Sequence, residues 1–331
     1  MIKEKYMNEI KKILITGAAG TIGSHLTDIM LEAGYEVHGI DNLSYGSMDN
    51  LNQAINHPNF TFFKDDVEFL YRSDARFHQY DVIYHFASLK KVWDGSIAST
   101  TVMTSNFKMT QQVITKAYSE NSRSSILIFA STSDIYGNSK TFKEDDDITM
   151  GPPTNERYSY ALSKWHSEQY ILNYIKEKNL QSAIIRIFGC ASPRSNKYWS
   201  GGHIPYFVTL ALNNEDINIH GDGLQTRSIS HSSDIAQGFK QAYDNFDKIK
   251  GTITNLGTNQ QTTVKYVAEY IVNKTKSKSK INYIPSQEVF GDYKEILIRF
   301  ANTEKSEKLL NYTRKYNTEQ VIDNIIKGFS N

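Results

Sequence analysis

Apolar positions along this chain recur with two periods. Short β-branched runs, KKILITG, YEVHGID, NFTFFKDD, YDVIYHFA, SSILIFAST and QSAIIRIFG, read as strands. Longer segments with helical spacing lie among them: TIGSHLTDIMLEAG, MTSNFKMTQQVITKAYSE and SYALSKWHSEQYILNYIKEKN. The strands are mostly apolar throughout, not on alternate positions, so they fit a parallel sheet covered on both faces. The expected fold is therefore a doubly wound α/β sheet over residues 10–188, with later returns near 228–258. From Ala191 the texture changes to SPRSNKYWSGGHIPYF, polar, aromatic and glycine-bearing, which suits a loop covering a ligand. EDINIHGDG, GTITNLG, TVKYVAEYIVNK and INYIP then predict a smaller, interleaved α/β lobe, mainly within 189–331.

Composition narrows the function. With 39% apolar residues in 331, the chain can bury a substantial core. Thirty-seven basic against 36 acidic residues leave a formal charge of +1, so no basic face for nucleic acid is expected. The single cysteine, Cys190, excludes an internal disulfide and a thiolate metal cluster, and reads as core filling. His85 at a strand end reads as structural, near any cofactor, and His203 and His231 are too dispersed from a cysteine or carboxylate to suggest a metal site. The first apolar run, ILI, is too short for a signal peptide, and no stretch approaches eighteen apolar residues. A soluble, cytoplasmic protein without a membrane span is the expectation.

Three glycines, Gly17, Gly20 and Gly23, stand between the first strand and the first helix. Their spacing permits a tight turn, close approach of backbone to a pyrophosphate, and a helix N-terminus facing the phosphates through Thr21 and Ile22. Asp41, twenty-four residues beyond Gly17 at the end of the second strand, can accept from both ribose hydroxyls and would repel a 2'-phosphate. NAD is therefore expected over NADP, in a Rossmann-like domain. Asn42 follows Asp41, and Asp66 with Val67 could lie by the adenine, although Asp65 or Asp66 could equally be an ordinary cap. Tyr160 and Lys164 are four apart on a predicted helix and face the same way. An ammonium beside a phenol favours the phenolate, which makes a general base. Thr132, at the C-terminal end of a strand, can hold the substrate alcohol that Tyr160 deprotonates.

Taken in order, TGAAGTIG, the DN at Asp41 and Asn42, HFAS, STSDIYG, YALSK and GDGLQTRSISHSSDIAQG resemble the extended short-chain dehydrogenases/reductases of the nucleotide-sugar epimerase and dehydratase group. The resemblance covers nearly the whole chain. It implies catalytic Thr132, Tyr160 and Lys164, cofactor contacts from Phe86 and Ala87, and a homodimer built on helices around Lys108 to Ser119 and Trp165 to Lys176. It also implies transient oxidation at sugar C4, return of the same hydride, and a tightly bound, recycled NAD. Arg227 is placed near the nucleotide diphosphate, its plainer alternative being a surface pair with Asp222 or Asp234. Where relatives read RxFNxYGPR this chain has RIFGCASPR, so the diphosphate contact of the missing asparagine falls to Asn196, His203 or backbone N–H groups. Trp199, beside Gly201, could stack on a base or sugar.

Asp134 is the open point. It stands where related dehydratases and decarboxylases carry a glutamate, after Ser133, and is one methylene shorter. As a catalytic carboxylate it would abstract the C5 proton; as a turn residue it would accept from an amide at the strand end. UDP-sugar 4-epimerisation is the leading expectation, with a nucleotide-sugar dehydratase and a UDP-glucuronate decarboxylase as alternatives, and a non-catalytic NAD sensor as the remote one. For the decarboxylase, Arg157, Lys90 or Lys91 would meet the uronate.

Overall fold

The computed structural model describes residues 11–70, 79–90, 97–118, 124–152, 154–198, 202–285 and 296–330. Lys91, Trp199 and Gly201 lie outside the described residues. In chain order the first half runs β1 (Lys12–Thr16), α1 (Gly23–Glu32), β2 (Glu36–Asp41), β3 (Phe60–Lys64), β4 (Val82–His85), α2 (Ser99–Ala117), β5 (Ile126–Thr132), α3 (Ser159–Lys178) and β6 (Ser182–Ile187). There follow β7 (Cys190–Ala191), α4 (His203–Leu212), β8 (Ile217–His220), β9 (Thr226–Arg227), β10 (Ser230–His231), α5 (Ser232–Asp244), α6 (Phe246–Ile249) and β11 (Ile253–Leu256). The chain ends with β12 (Thr262–Thr263), α7 (Val264–Thr275), β13 (Ile281–Ile284), β14 (Ile298–Arg299), α8 (Glu304–Leu310) and α9 (Thr318–Phe329).

Seven strands pair in parallel in the order β3-β2-β1-β4-β5-β6-β11. Alternate residues of each strand serve opposite faces. In β1, Ile13 and Ile15 join a core with Leu26 and Met30 of α1 and Phe239 of α5, while Leu14 packs with Val113 of α2 and Ile171 of α3. Both faces are thus covered, which explains strands that read apolar throughout. The order reverses between β1 and β4, and such a switch point opens a crevice at the strands' C-terminal edge.

A second apolar cluster holds the smaller lobe, where Phe207 of α4, Ile219 of β8, Val267 of α7 and Ile325 of α9 are buried together. Three short sheets serve this region: β12-β9-β14, β10-β7 and β13-β8. The helix expected from Met103 starts earlier, at Ser99, and α5 carries Gly238 near its middle. Glycine weakens a helix signal, yet here a Cβ would fall 2.6 Å from the Leu256 Cδ1, so close packing onto β11 outweighs propensity. Among the described residues no helix is long and apolar enough to cross a membrane.

Candidate active site

The turn from β1 into α1 is shaped for a backbone that approaches something closely. Gly17 has φ +71°, and a Cβ there would sit 2.8 Å from the Ala87 N; at Gly23 it would sit 2.2 Å from the Gly17 O. No side chain caps the start of α1 and no acid lies in its first turn, so its leading N–H groups and positive end face the crevice. Asp41 accepts from the Ala19 N–H at 3.0 Å with Oδ2 and from the Leu43 N–H at 2.8 Å with Oδ1. Each carboxylate oxygen keeps a further acceptor site. Burial pushes Asp41 upward, against those two amides. Asp66 caps a short 3₁₀ turn through Glu68 N–H and also accepts from the Asn42 side chain at 2.9 Å.

One crevice gathers these groups. Gly17, Gly20, Thr21, Ile22, Gly23, Asp41, Asn42, Asp66, Val67, Phe86, Ala87, Tyr160 and Lys164 all line it. The glycine cradle, the uncapped helix end and a carboxylate with spare acceptor sites fit a dinucleotide.

At the far end of the crevice, α3 presents Tyr160 and Lys164 on one face. Lys164 is buried, donates to the Ala130 carbonyl at 3.0 Å, and lies 4.8 Å from the Phe129 ring centroid. Burial brings its ammonium down to about 7, with Glu168 pulling the other way. The expectation that Lys164 lowers the Tyr160 phenol is not what this arrangement shows. Burial and then Asp134 push Tyr160 well above the ordinary phenol value, with hydrogen bonds to Ser88 and Thr132 opposing them. Thr132 Oγ1 accepts from the Asp134 N–H at 3.1 Å, leaving its proton to donate toward Tyr160.

That bond also corrects the expected role of Asp134. Thr132 is the residue that caps the turn Ser133–Tyr136, so the Asp134 carboxylate is not needed for it. Instead it forms an ion pair with Arg299 of β14, from a strand 165 residues further on. Burial raises the Asp134 carboxyl, but Arg299, then Arg157, then Lys90 outweigh it and hold the group at about 2. Ser133 is buried at the start of the turn.

Arg299 stands in register with Arg227 on the neighbouring β9. Arg227 Nη1 donates to the Thr226 and Ile296 carbonyls, both at 2.8 Å. The acids weighed against it are engaged elsewhere: Asp222 accepts from the Leu224 N–H, and Asp234 from those of Lys315 and Tyr316. His203, the first residue of α4, keeps Nε2 buried without a hydrogen-bond partner. Burial, then Arg227, Lys90 and Arg299, bring it down to about 3, so the ring is neutral. Asn196 accepts from the Tyr198 N–H with its Oδ1 at 2.8 Å.

Residues 13–257 match the model of the NAD dependent epimerase/dehydratase family. The chain belongs to this family. A UDP-N-acetyl-alpha-D-glucosaminuronate decarboxylase from Bacillus cytotoxicus is 30% identical over 325 residues, covering 96% of this chain and 98% of that protein. UDP-glucuronic acid decarboxylase 1 of Danio rerio is 29% identical over 276 residues, 83% of this chain and 63% of that longer protein. Among solved structures, a UDP-glucuronic acid 4-epimerase from Bacillus cereus, in complex with UDP-glucuronic acid and NAD, superposes with a TM-score of 0.84 at 24% identity, over 96% of this chain and 99% of that one. That likeness is one of fold.

Family motifs account for the cofactor crevice, but they miss how it is joined to the substrate side. Thr21 Oγ1 lies 3.1 Å from each of the Ser192, Ser195 and Ser232 hydroxyls, and Ser192 is also 3.2 Å from His25 Nε2. Ser192 stands where relatives commonly carry glycine, and the hydroxyl it adds ties the loop after β7 to the glycine turn. Arg194 fastens the same loop to α1 through Asp28 at 2.6 Å. Arg299 also went unnoticed in the sequence, since it belongs to no local motif.

Proposed function

We propose that this enzyme is an NAD-dependent decarboxylase of a UDP-linked uronic acid. The observation that carries the reading is the cationic patch around Asp134. Arg299, Arg157 and Lys90 act on the Asp134 carboxylate, and Arg227, Lys90 and Arg299 act on the neutral His203, so four cations gather at one place. A nucleoside diphosphate and a uronate are both anions that such a group attracts. Guanidinium groups suit both phosphate and carboxylate oxygens. The likeness to the two decarboxylases described above supports the same reading, which replaces 4-epimerisation as the leading one.

NAD, when bound in the crevice by the glycine turn and Asp41, supplies the hydride acceptor at C4, a positive ring charge and later the returned hydride. The cofactor's ring charge and the Lys164 ammonium would offset the burial that raises Tyr160, and Tyr160, as the phenolate, would take the C4 hydroxyl proton as the hydride leaves, with Thr132 orienting the oxygen. Once C4 is a ketone, the C5 carboxylate is a β-keto acid. Its C5–C6 bond breaks with loss of carbon dioxide, and the electron pair is held as the enolate of the C4 ketone. C5 would then take a proton from water, the hydride would return to C4, and Tyr160 would give its proton back to the C4 oxygen, so that no NAD would be consumed overall. Arg299 and Arg157 orient the departing carboxylate before C4 oxidation and do not themselves exchange a proton.

Incubating the purified chain and NAD with UDP-glucuronic acid, UDP-N-acetylglucosaminuronic acid, UDP-glucose and UDP-N-acetylglucosamine tests this by mass spectrometry and proton NMR. A product lighter by one carbon dioxide from a uronate, with no turnover of the neutral sugars, is expected. Unchanged mass with inverted C4 from any of the four sinks the reading in favour of epimerisation.

A further inference from the structure

The catalytic helix carries one more buried ionisable group that the proposed reaction does not use. Glu168 follows Lys164 by one turn on α3, on the face that also presents Tyr160. It is fully buried and is gripped by Arg186 of β6, Nε to Oε1 at 3.0 Å and Nη2 to Oε2 at 2.8 Å. Such a two-pronged pair fixes the carboxylate in place. Arg186 lies opposite Ser131 on β5 and Asn255 on β11, so the grip sits under the catalytic strand ends. Its guanidinium also lies 4.8 Å from the ring centroid of Tyr136, whose hydroxyl donates to Asn255 Oδ1 at 2.9 Å.

Two buried ions in sequence along one helix are costly unless each is compensated. Arg186 compensates Glu168. Lys164 has a carbonyl and a ring face, and the charged or titratable groups around it are Glu168 and Tyr160 on its own helix and His85 on β4. Burial, and then Lys164 itself, push His85 far below its usual range, so it is neutral. Its Nδ1 lies 2.8 Å from Thr16 Oγ1, which also accepts from the Ala87 N–H. Glu168 is thus the fixed negative charge facing the lysine, and it does not line the crevice.

We propose that Glu168, clamped by Arg186, is a positioning residue for the reaction: its buried carboxylate keeps Lys164 an ammonium beside Tyr160. The clamp sets how strongly it does so, because Arg186 offsets part of the same negative charge. The inference rests on Lys164 being the catalytic lysine, but it predicts a property of the chain that exists whichever sugar reaction is catalysed.

The test is a proton–carbon NMR titration of the full chain labelled at the lysine ε-carbon, with Lys164→Arg assigning the signal, for wild type, Glu168→Gln and Arg186→Gln. Wild-type Lys164 should titrate near 7. Removing the carboxylate charge should lower that midpoint by about 1 unit, and removing the guanidinium should raise it. A loosened, wetter core would instead move both variants upward toward the ordinary lysine value. An upward or absent shift in Glu168→Gln overturns the proposal, and so does a downward shift in Arg186→Gln if the first variant does not fold. In turnover, a midpoint 1 unit lower cuts the ammonium fraction at pH 7 about fivefold, so kcat should fall by about that factor with KM unchanged. If the titration shifts as expected while no sugar nucleotide turns over, the inference stands and the proposed reaction fails.

Discussion

Replacing Asp134 by asparagine should expose how much the fold depends on the pair with Arg299. The carboxyl is held at about 2 against an ordinary 3.8, a difference worth about 2 kcal/mol in favour of the folded state at neutral pH. Both side chains are shielded, with 26% exposure for Asp134 and 18% for Arg299, so solvent screening removes little of it. For 331 residues an unfolding entropy of about 2.1 cal/mol/K per residue gives roughly 0.7 kcal/mol/K, so Asp134→Asn should lower Tm by about 3 °C at pH 7. The sign with pH follows from a depressed folded-state value: the contribution is complete above about 4 and is lost as pH falls through about 2. The deficit of the variant should therefore be constant from pH 7 to 5 and shrink below 4. Urea unfolding of wild type, Asp134→Asn, Arg299→Gln and the double variant, with no nucleotide added, isolates the pair. Arg157 and Lys90 share the stabilisation, so a coupling of about 1 to 2 kcal/mol is expected. A coupling below about 0.5 kcal/mol would refute the assignment of Arg299 as the main compensating charge for Asp134.

Two further outcomes follow from the catalytic helix. Tyr160→Phe should reduce turnover by about 10² to 10⁴-fold while NAD binding, measured calorimetrically, changes little; a residual rate within tenfold of wild type would remove Tyr160 from proton transfer. Lys164→Met should raise stability at pH 7 while abolishing turnover, because a lysine brought down to about 7 from 10.5 opposes folding by up to about 4 kcal/mol. Between those values the unfolded chain binds more protons than the folded one, so the advantage of methionine should be full below about 7 and fade as pH rises toward 10.5; an advantage that does not fade would assign it to packing alone.

The sheet was legible because six of its seven strands follow one another along residues 12–187, and because burial on both faces removes the polar positions that mark a half-exposed strand. The cofactor crevice was legible for a related reason. Gly17 to Gly23 and Asp41 lie within one βαβ unit, β1–α1–β2, and β1–β2 pairing brings them together with no long-range choice to make. The substrate side was not. Arg299 reaches the site through β14, a strand of two residues whose partner β9 is equally short, and such elements leave no periodic trace. The hydroxyl group at Ser192 was visible as a departure from the family pattern, but that it meets Thr21 depends on how the loop after β7 folds back over α1. α5 was hidden by Gly238, whose fitness for a helix rests on Leu256 of another strand.

Asp134 shows why a polar cluster at a strand end resists reading from sequence alone. Thr132 and Asp134 can each cap the same turn, and the side chain that does so is decided by what the other one can reach. Thr132 sits at the last pair of the β5–β6 ladder, with extended backbone that aims Oγ1 at the Asp134 N–H. With the cap satisfied there, Asp134 is free to face outward into the cationic patch, and its charge is compensated by Arg299. The exchange has a chemical cost for the dehydratase reading: a carboxylate held at about 2 by three cations is a poor base for the C5 proton. Decarboxylation removes that demand, since C5–C6 cleavage supplies the carbanion without any proton being taken from C5. Epimerisation makes no such demand either, and on a uronate it would use the same cations, so what favours decarboxylation over it is the likeness to decarboxylases, not the charge. The same cations that disable Asp134 as a base are groups that suit a uronate, so one arrangement of charge both weakens the dehydratase reading and favours the substrate class proposed.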